Sequence, residues 1–241
     1  MAEYPDGYDD TPEIPDTEYH VHDADRPYPP IIAPPERELP RLPPSDATVL
    51  LDATDPDLEQ WEHPDGRPAG WDTGENCVVV CPDAGSIQSR TALSDCQLHV
   101  EWATPTEAER VGPGRGNSGL FFMDRYEIQI LDCYTYSIYA DGYAGAVYGQ
   151  HPPLANVCRP PGAWQSFDIA WKAPRFDDGE LEQPATVTLF HNDVLVLNNA
   201  DVYGPTEHKA IGEYRPHGPA PLRLQDHGDR VRFRNLWYRQ T

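Results

Sequence analysis

The sequence predicts an all-β protein, a sandwich or jelly roll of two antiparallel sheets with an irregular, proline-rich N-terminal arm. Three observations predict it. From Thr48 onward, short runs with period-two alternation are separated by turn residues. No stretch carries the spacing of a long amphipathic helix. Finally, 11 of the 27 prolines fall before residue 46, which sets residues 1–45 apart from a domain at 46–241. A chain of 241 residues with 39% hydrophobic side chains can bury a substantial core.

Residues 1–45 are expected to be disordered or docked as an arm, because proline removes ladder donors and the acids repel one another. Tyr4, Tyr8, Tyr19, Tyr28, Ile31 and Ile32 are the anchors by which the arm would dock, on the domain or on a neighbouring subunit in a homo-oligomer. His20 and His22, in HVH, have a spacing that can hold a metal, although two histidines alone specify none.

TVLLDA opens the domain at Thr48. The runs at 76–81, 96–105, 118–123, 125–132, 164–174, 185–202 and 231–240 follow as strands. TVTLF and VLVLN flank HND as a hairpin, so His191 and Asn192 read as turn chemistry. In CQLHVEWAT, Leu98, Val100 and Trp102 share the core face, while His99 and Glu101 face out. Residues 133–163 break the pattern. They are long, aromatic and glycine-rich, as functional loops often are.

The charge is extreme, with 40 acids against 18 bases for a net −22. Such a surface repels nucleic acid and anionic membranes, so neither is expected as a partner. Self-repulsion on this scale is relieved by salt, which suggests a high-salt cytoplasm. The unfolding midpoint is therefore expected to rise with KCl; a midpoint that stays high in low-salt buffer overturns that expectation. The five cysteines are odd in number, and no secretory signal or apolar run of membrane-spanning length is evident. Reduced, buried thiols in a cytoplasm are expected. C-x3-C at Cys77 and Cys81 has no second pair to complete a zinc site.

Three clusters can carry chemistry. In RYEIQILD, Tyr126, Ile128 and Ile130 point one way and Glu127, Gln129 and Leu131 the other. Glu127 and Gln129 then lie about 7 Å apart on one face. A β-bulge near Leu131 would bring Asp132 round to join them. The spacing E-x-Q-x-x-D matches the E-x-D-x-x-E of concanavalin-A-like glycosidases, with an amide for the middle acid. In LQDHG, Gln225, Asp226 and His227 combine donor, acceptor and proton-transfer groups. In GRGNSG, glycines allow close approach while Arg115 and Asn117 offer donors, but the stretch lacks the G-K-S/T of a phosphate loop.

GRGNSGLFF, RYEIQILD, YADGYAGAVYGQHPPLAN, WQSFDIAWKAPRFD, VTLFHNDVLV and LQDHGDRVRFRNLW, in this order, resemble the 3-keto-disaccharide hydrolase family, also called the 3-keto-glycoside lyase/hydratase domain. The resemblance covers residues from about 48 to 240. It implies a concanavalin-A-like jelly roll that binds substrate on its concave sheet. It also implies a partner dehydrogenase that oxidises the sugar C3 hydroxyl, after which this enzyme removes the C2 proton, eliminates the C1 aglycone and hydrates the enone. Such chemistry needs a base, an acid and an enolate stabiliser, for which a divalent metal would serve; no organic cofactor is implied. Glu127, Asp132 and His227 would transfer protons, with Glu127 or His227 as base. Arg115, Asn117, Gln129, Tyr139, Gln150, His151 and Gln225 would bind substrate, and Asp141 and Tyr148 of the long loop would contact the sugar or pin the loop. Trp164, Trp171 and Trp237 are expected in the core rather than as sugar platforms. A conventional two-carboxylate glycosidase and a non-catalytic carbohydrate-binding module are the alternatives. The chain departs from the family pattern at His151, where members commonly carry a small polar residue, and in having the acidic extension where members commonly carry an export signal.

Overall fold

The computed structural model describes residues 7–36, 39–107, 114–134 and 137–241. In chain order the strands are β1 (Thr48–Leu51), β2 (Trp61–Glu62), β3 (Asp72–Gly74), β4 (Cys77–Val79), β5 (Ile87–Leu93) and β6 (Cys96–Ala103). Then come β7 (Ser118–Phe122), β8 (Tyr126–Ile130), β9 (Gln165–Lys172), β10 (Arg175–Asp177), β11 (Glu180–Gln183) and β12 (Thr186–His191). The last are β13 (Val194–Asp201), β14 (Thr206–Glu207), β15 (Ala210–Ile211), β16 (Ala220–Leu224) and β17 (Arg232–Gln240).

They form a jelly-roll sandwich of two antiparallel sheets. The eight-stranded sheet runs β13-β12-β9-β6-β17-β4-β3, with β1 also on β17; the five-stranded sheet runs β2-β5-β16-β7-β8. The hairpins β10–β11 and β14–β15 stand apart. Alternation in each strand turns one apolar row inward, and the two rows meet. Phe122 of β7 stacks on Trp171 of β9 at 4.6 Å, and Tyr126 of β8 lies 5.5 Å from the same ring. Each Phe or Leu so buried contributes about 1.5–3 kcal/mol. The five cysteines are free thiols. Among the described residues no helix is long and apolar enough to cross a membrane.

Three strands of the five-stranded sheet, β2, β5 and β16, lie in stretches that the sequence reading left outside its strands. The outer face of the larger sheet also departs from expectation. His99 and Glu101 do face away from the core, yet both are fully buried. Register explains this: His99 sits opposite Asp168 on β9, and Glu101 opposite Arg234 on β17. His99 Nδ1 pairs with Asp168 at 2.9 Å, and Arg234 Nε donates to Glu101 at 2.7 Å. Arg41, from the segment before β1, closes the cluster, donating its backbone N–H to Glu101 and its guanidinium to Asp168. Trp237 stacks on His99 on this outer face, and Trp164 is half-buried beneath Arg234, so only Trp171 of the three tryptophans packs between the sheets.

The described part of the arm lies on the domain. It folds back on itself through Ile14 N–H to Tyr19 O and Val21 N–H to Pro12 O, burying Ile14 and Val21. Further along, Ile32 N–H bonds Asn156 O, and Ile31 stays exposed. Tyr4 lies outside the described residues.

Candidate functional site

The site stands on the outer face of the five-stranded sheet. Register places Phe121 between Glu127 and Arg223, and Gly119 opposite Gln129. A side chain at position 119 would displace the Glu127 carboxyl and the Phe121 ring, which a Cβ there would overlap. Glycine thus makes the space in which the carboxyl lies. A turn at 122–125 joins the two strands, closed by Arg125 N–H to Phe122 O at 3.0 Å. Its central residues, Met123 and Asp124, are both left-handed, at φ +54 and +59. The Asp124 carboxylate meets Arg223 Nε at 2.6 Å, and the guanidinium lies over the Phe121 ring at 3.9 Å.

β8 is the edge strand, and its free edge is covered. The long loop pairs with it through Gln129 N–H to Ala146 O and Tyr148 N–H to Glu127 O. The β14–β15 hairpin joins beside it, with Thr206 N–H bonded to Arg125 O and Glu127 N–H to Thr206 Oγ1. These contacts deliver Tyr148, Thr206 and His208 to a cleft of about 310 Å³, whose other lining residues are Asn117, Phe121, Glu127, Gln129, Arg223, Gln225 and His227. That volume suits a small ligand.

Glu127 is the only acid among the described residues lining the cleft. Burial pushes its carboxyl up to about 8, and the charge of Arg223 offsets part of this. Gln129 is oriented by Ile130, whose N–H donates to Oε1, so the amide nitrogen is left as a donor. Gln225 Oε1 is buried without a hydrogen-bond partner, an acceptor suited to a ligand hydroxyl. Tyr148 and His208 are joined, hydroxyl to Nδ1, at 3.2 Å.

Of the residues singled out from sequence, Glu127, Gln129, Asn117, Tyr148, Gln225 and His227 come together here. The others do not line the cleft. No bulge forms at Leu131: β8 ends at Ile130, Leu131 joins the core, and Cys133 N–H bonds Leu131 O in a tight turn. Asp132 is buried and pairs with Arg115 at 2.6 Å. Asp226 accepts from Gly228 N–H within its own turn and from Gly85 N–H of a separate loop. Gln150 is buried and pins Tyr203 N–H and Gly204 O. His151 bonds Asp201 O at 2.6 Å and packs on Tyr203, away from the cleft mouth. Tyr139 stands behind Tyr148, hydroxyl to hydroxyl at 2.8 Å. Arg223, Thr206 and His208 were missed. The alternation of LRLQ, with Leu222 and Leu224 buried, was the available signal for Arg223.

Among the described residues no three His, Cys, Asp or Glu side chains are placed to hold a metal ion. His20 and His22 do not share a site: His20 Nδ1 faces Thr11 O, and His22 faces Asp141.

Residues 46–239 match the family described as the 3-keto-alpha-glucoside-1,2-lyase-like domain. A crystal structure of a candidate glycosyl hydrolase from Parabacteroides distasonis is 38% identical, with a TM-score of 0.81 over 90% of this chain and 93% of that one. Since 90% of the chain is more than residues 46–241 hold, that likeness extends into the arm. Two other candidate glycosyl hydrolases from the same organism, each 17% identical, share the fold, with TM-scores of 0.59 and 0.53. They cover 81% and 79% of this chain, and 94% and 98% of their own. No curated protein matches the chain. The match over most of the domain and the 38% identity together make this chain a member of the 3-keto-alpha-glucoside-1,2-lyase-like family.

Proposed function

We propose that the cleft cleaves 3-keto-glycosides by abstracting the C2 proton, eliminating the C1 aglycone and hydrating the resulting enone. Family membership supports carbohydrate processing in general; the lone buried carboxyl of Glu127, among amides, hydroxyls and imidazoles, carries the specific reading. A conventional glycosidase needs two carboxyl groups flanking the bond, and the other acids singled out from sequence are engaged elsewhere: Asp132 by Arg115, Asp141 by His22 and Asp226 by Gly228 N–H.

In this reading the C3 ketone acidifies the C2 proton and Glu127 takes it. The product of that transfer is the neutral carboxylic acid, the form that burial favours. Arg223 and the Gln129 amide stabilise the enolate oxygen. As the C1–O bond breaks, His227 at the mouth of the cleft protonates the departing oxygen. Water then adds at C1, giving its proton to the now neutral His227, and Glu127 returns its proton to C2.

The test is turnover in molar KCl of a 3-keto-glucoside and its unoxidised parent, each with and without EDTA. Expected is aglycone release from the keto sugar alone, with transient enone absorbance and no effect of EDTA. Release from the parent sugar would overturn the reading in favour of hydrolysis by two carboxylates, and release from neither would leave a sugar-binding module.

A further inference from the structure

The arm brings two rings, Tyr8 and His22, to the wall of the cleft. Their backbones are tied by Tyr8 N–H to His22 O at 2.7 Å. His22 is left-handed at φ +59 and fully buried. Its backbone N–H and its Nδ1 both bond the Asp141 carboxylate at 2.9 Å. The imidazole stacks on Tyr139 at 3.9 Å, and lies 4.7 Å from the Tyr148 ring and 5.5 Å from the His208 ring. Tyr8 carries the Lys209 ammonium on its face at 3.4 Å and meets His208 edge-on at 6.2 Å. Tyr148 and His208, the residues so gripped, line the cleft.

Packing alone does not account for this imidazole. Its Nε2 is buried without a partner, whereas an apolar ring would fill the same space with no orphaned nitrogen and no need of the Asp141 carboxylate. We infer that His22, held by Asp141, is a positioning residue of the cleft, fixing where Tyr148 and His208 stand, so that the N-terminal arm is a working part of the sugar site. The inference rests on the reading of the cleft as a 3-keto-glycoside site. The electrostatics agree with it. Burial first, then the neighbouring His22 and Lys209, hold the His208 imidazole below its ordinary value, so that it stands neutral beside the ligand. The groups facing His208 are Tyr8 and His22 from the arm, Tyr148 from the long loop and Lys209 from its own turn. Asp141 and Tyr139 face His22.

The test uses the full chain with His22→Phe, which keeps a stacking ring, and Asp141→Asn, which keeps the volume of the anchor. Two readouts are taken: kcat and KM on a 3-keto-glucoside, and the titration of His208 by nitrogen-15 NMR, assigned with His208→Gln. Expected is a fall in kcat of about ten- to a hundredfold with KM little changed, as misplaced groups produce. The His208 midpoint should move upward in His22→Phe while melting stays near wild type. Wild-type kinetics with an unmoved His208 would overturn the inference. So would a loss of melting and turnover together with His208 unmoved, which is the mark of a structural prop. If His22→Phe fails to fold, Asp141→Asn decides by the same two readouts. If the wild type does not turn over the keto sugar, the proposed function fails by itself, and the His208 titration still decides the role of the arm.

Discussion

Replacing Glu127 by glutamine is expected to lower kcat on a 3-keto-glucoside by about 10²–10⁴-fold with KM changed little, the signature of a lost proton-transfer group. Glutamine preserves the shape above Gly119 and cannot accept the C2 proton. In the wild type, kcat/KM should rise with pH through about 8, where burial places the ionisation of Glu127, and that limb should vanish in the variant. Stability should move the opposite way. The folded value lies above the ordinary 4.5, so the folded state binds the proton more tightly than the unfolded chain. That contribution is complete below the ordinary value and is lost as pH rises through about 8. Glutamine does not ionise, so the variant should melt above the wild type in alkaline buffer. Parallel melting profiles across this range would mean that Glu127 is not held neutral by burial.

Glu101→Ala is expected to destabilise the domain by about 3–5 kcal/mol in urea, because removing one member of a buried ionic cluster strands the rest. Glu101 accepts from Arg234 Nε, Asn235 Nδ2 and Arg41 N–H, and meets His99 Nε2 at 3.5 Å. Burial opposes a charge on His99, yet the bonds to Asp168 and Glu101 outweigh it and raise the imidazole above its ordinary 6.5. A raised histidine stabilises the fold fully below 6.5, and the effect is lost as pH climbs through the folded value. The variant's loss should therefore be larger in mildly acid buffer than in alkaline buffer. A loss under about 1 kcal/mol would reduce the cluster to the level of an exposed ion pair.

Period-two alternation made β8 legible, and with it the pairing of Glu127 and Gln129 on one face. The same alternation misled at His99 and Glu101, because it tells which side of a sheet a residue faces and not what covers that side. The covering groups, Arg41 and Arg234, come from the end of the arm and from the last strand of the domain. Arg223 was hidden for a related reason. An arginine between two leucines reads as a solvated position until the β7–β8 turn, distant in sequence, places Asp124 against it. Asp132 failed on backbone path: the strand stops at Ile130, and a tight turn sends the next acid to Arg115 instead of the cleft. Gln150 and His151 lie in the stretch read as functional, but on the side of the loop that holds residues 201–204. The contribution of His22 depends on the arm lying against Asp141, which no local pattern encodes.

A hairpin selected for folding alone would carry Asn-Gly where Met123 and Asp124 stand, since both positions are left-handed. A side chain in that conformation costs about 1–2 kcal/mol. Asp124 nonetheless supplies the carboxylate that tethers Arg223 over Phe121. An engineering campaign scored only on heat resistance would accept the Asn-Gly turn and, in doing so, untie the one arginine that lines the cleft among the described residues. Thermostability and the shape of the cleft thus compete for a two-residue turn, and library designs for this protein should hold position 124 fixed while the rest of the hairpin is varied.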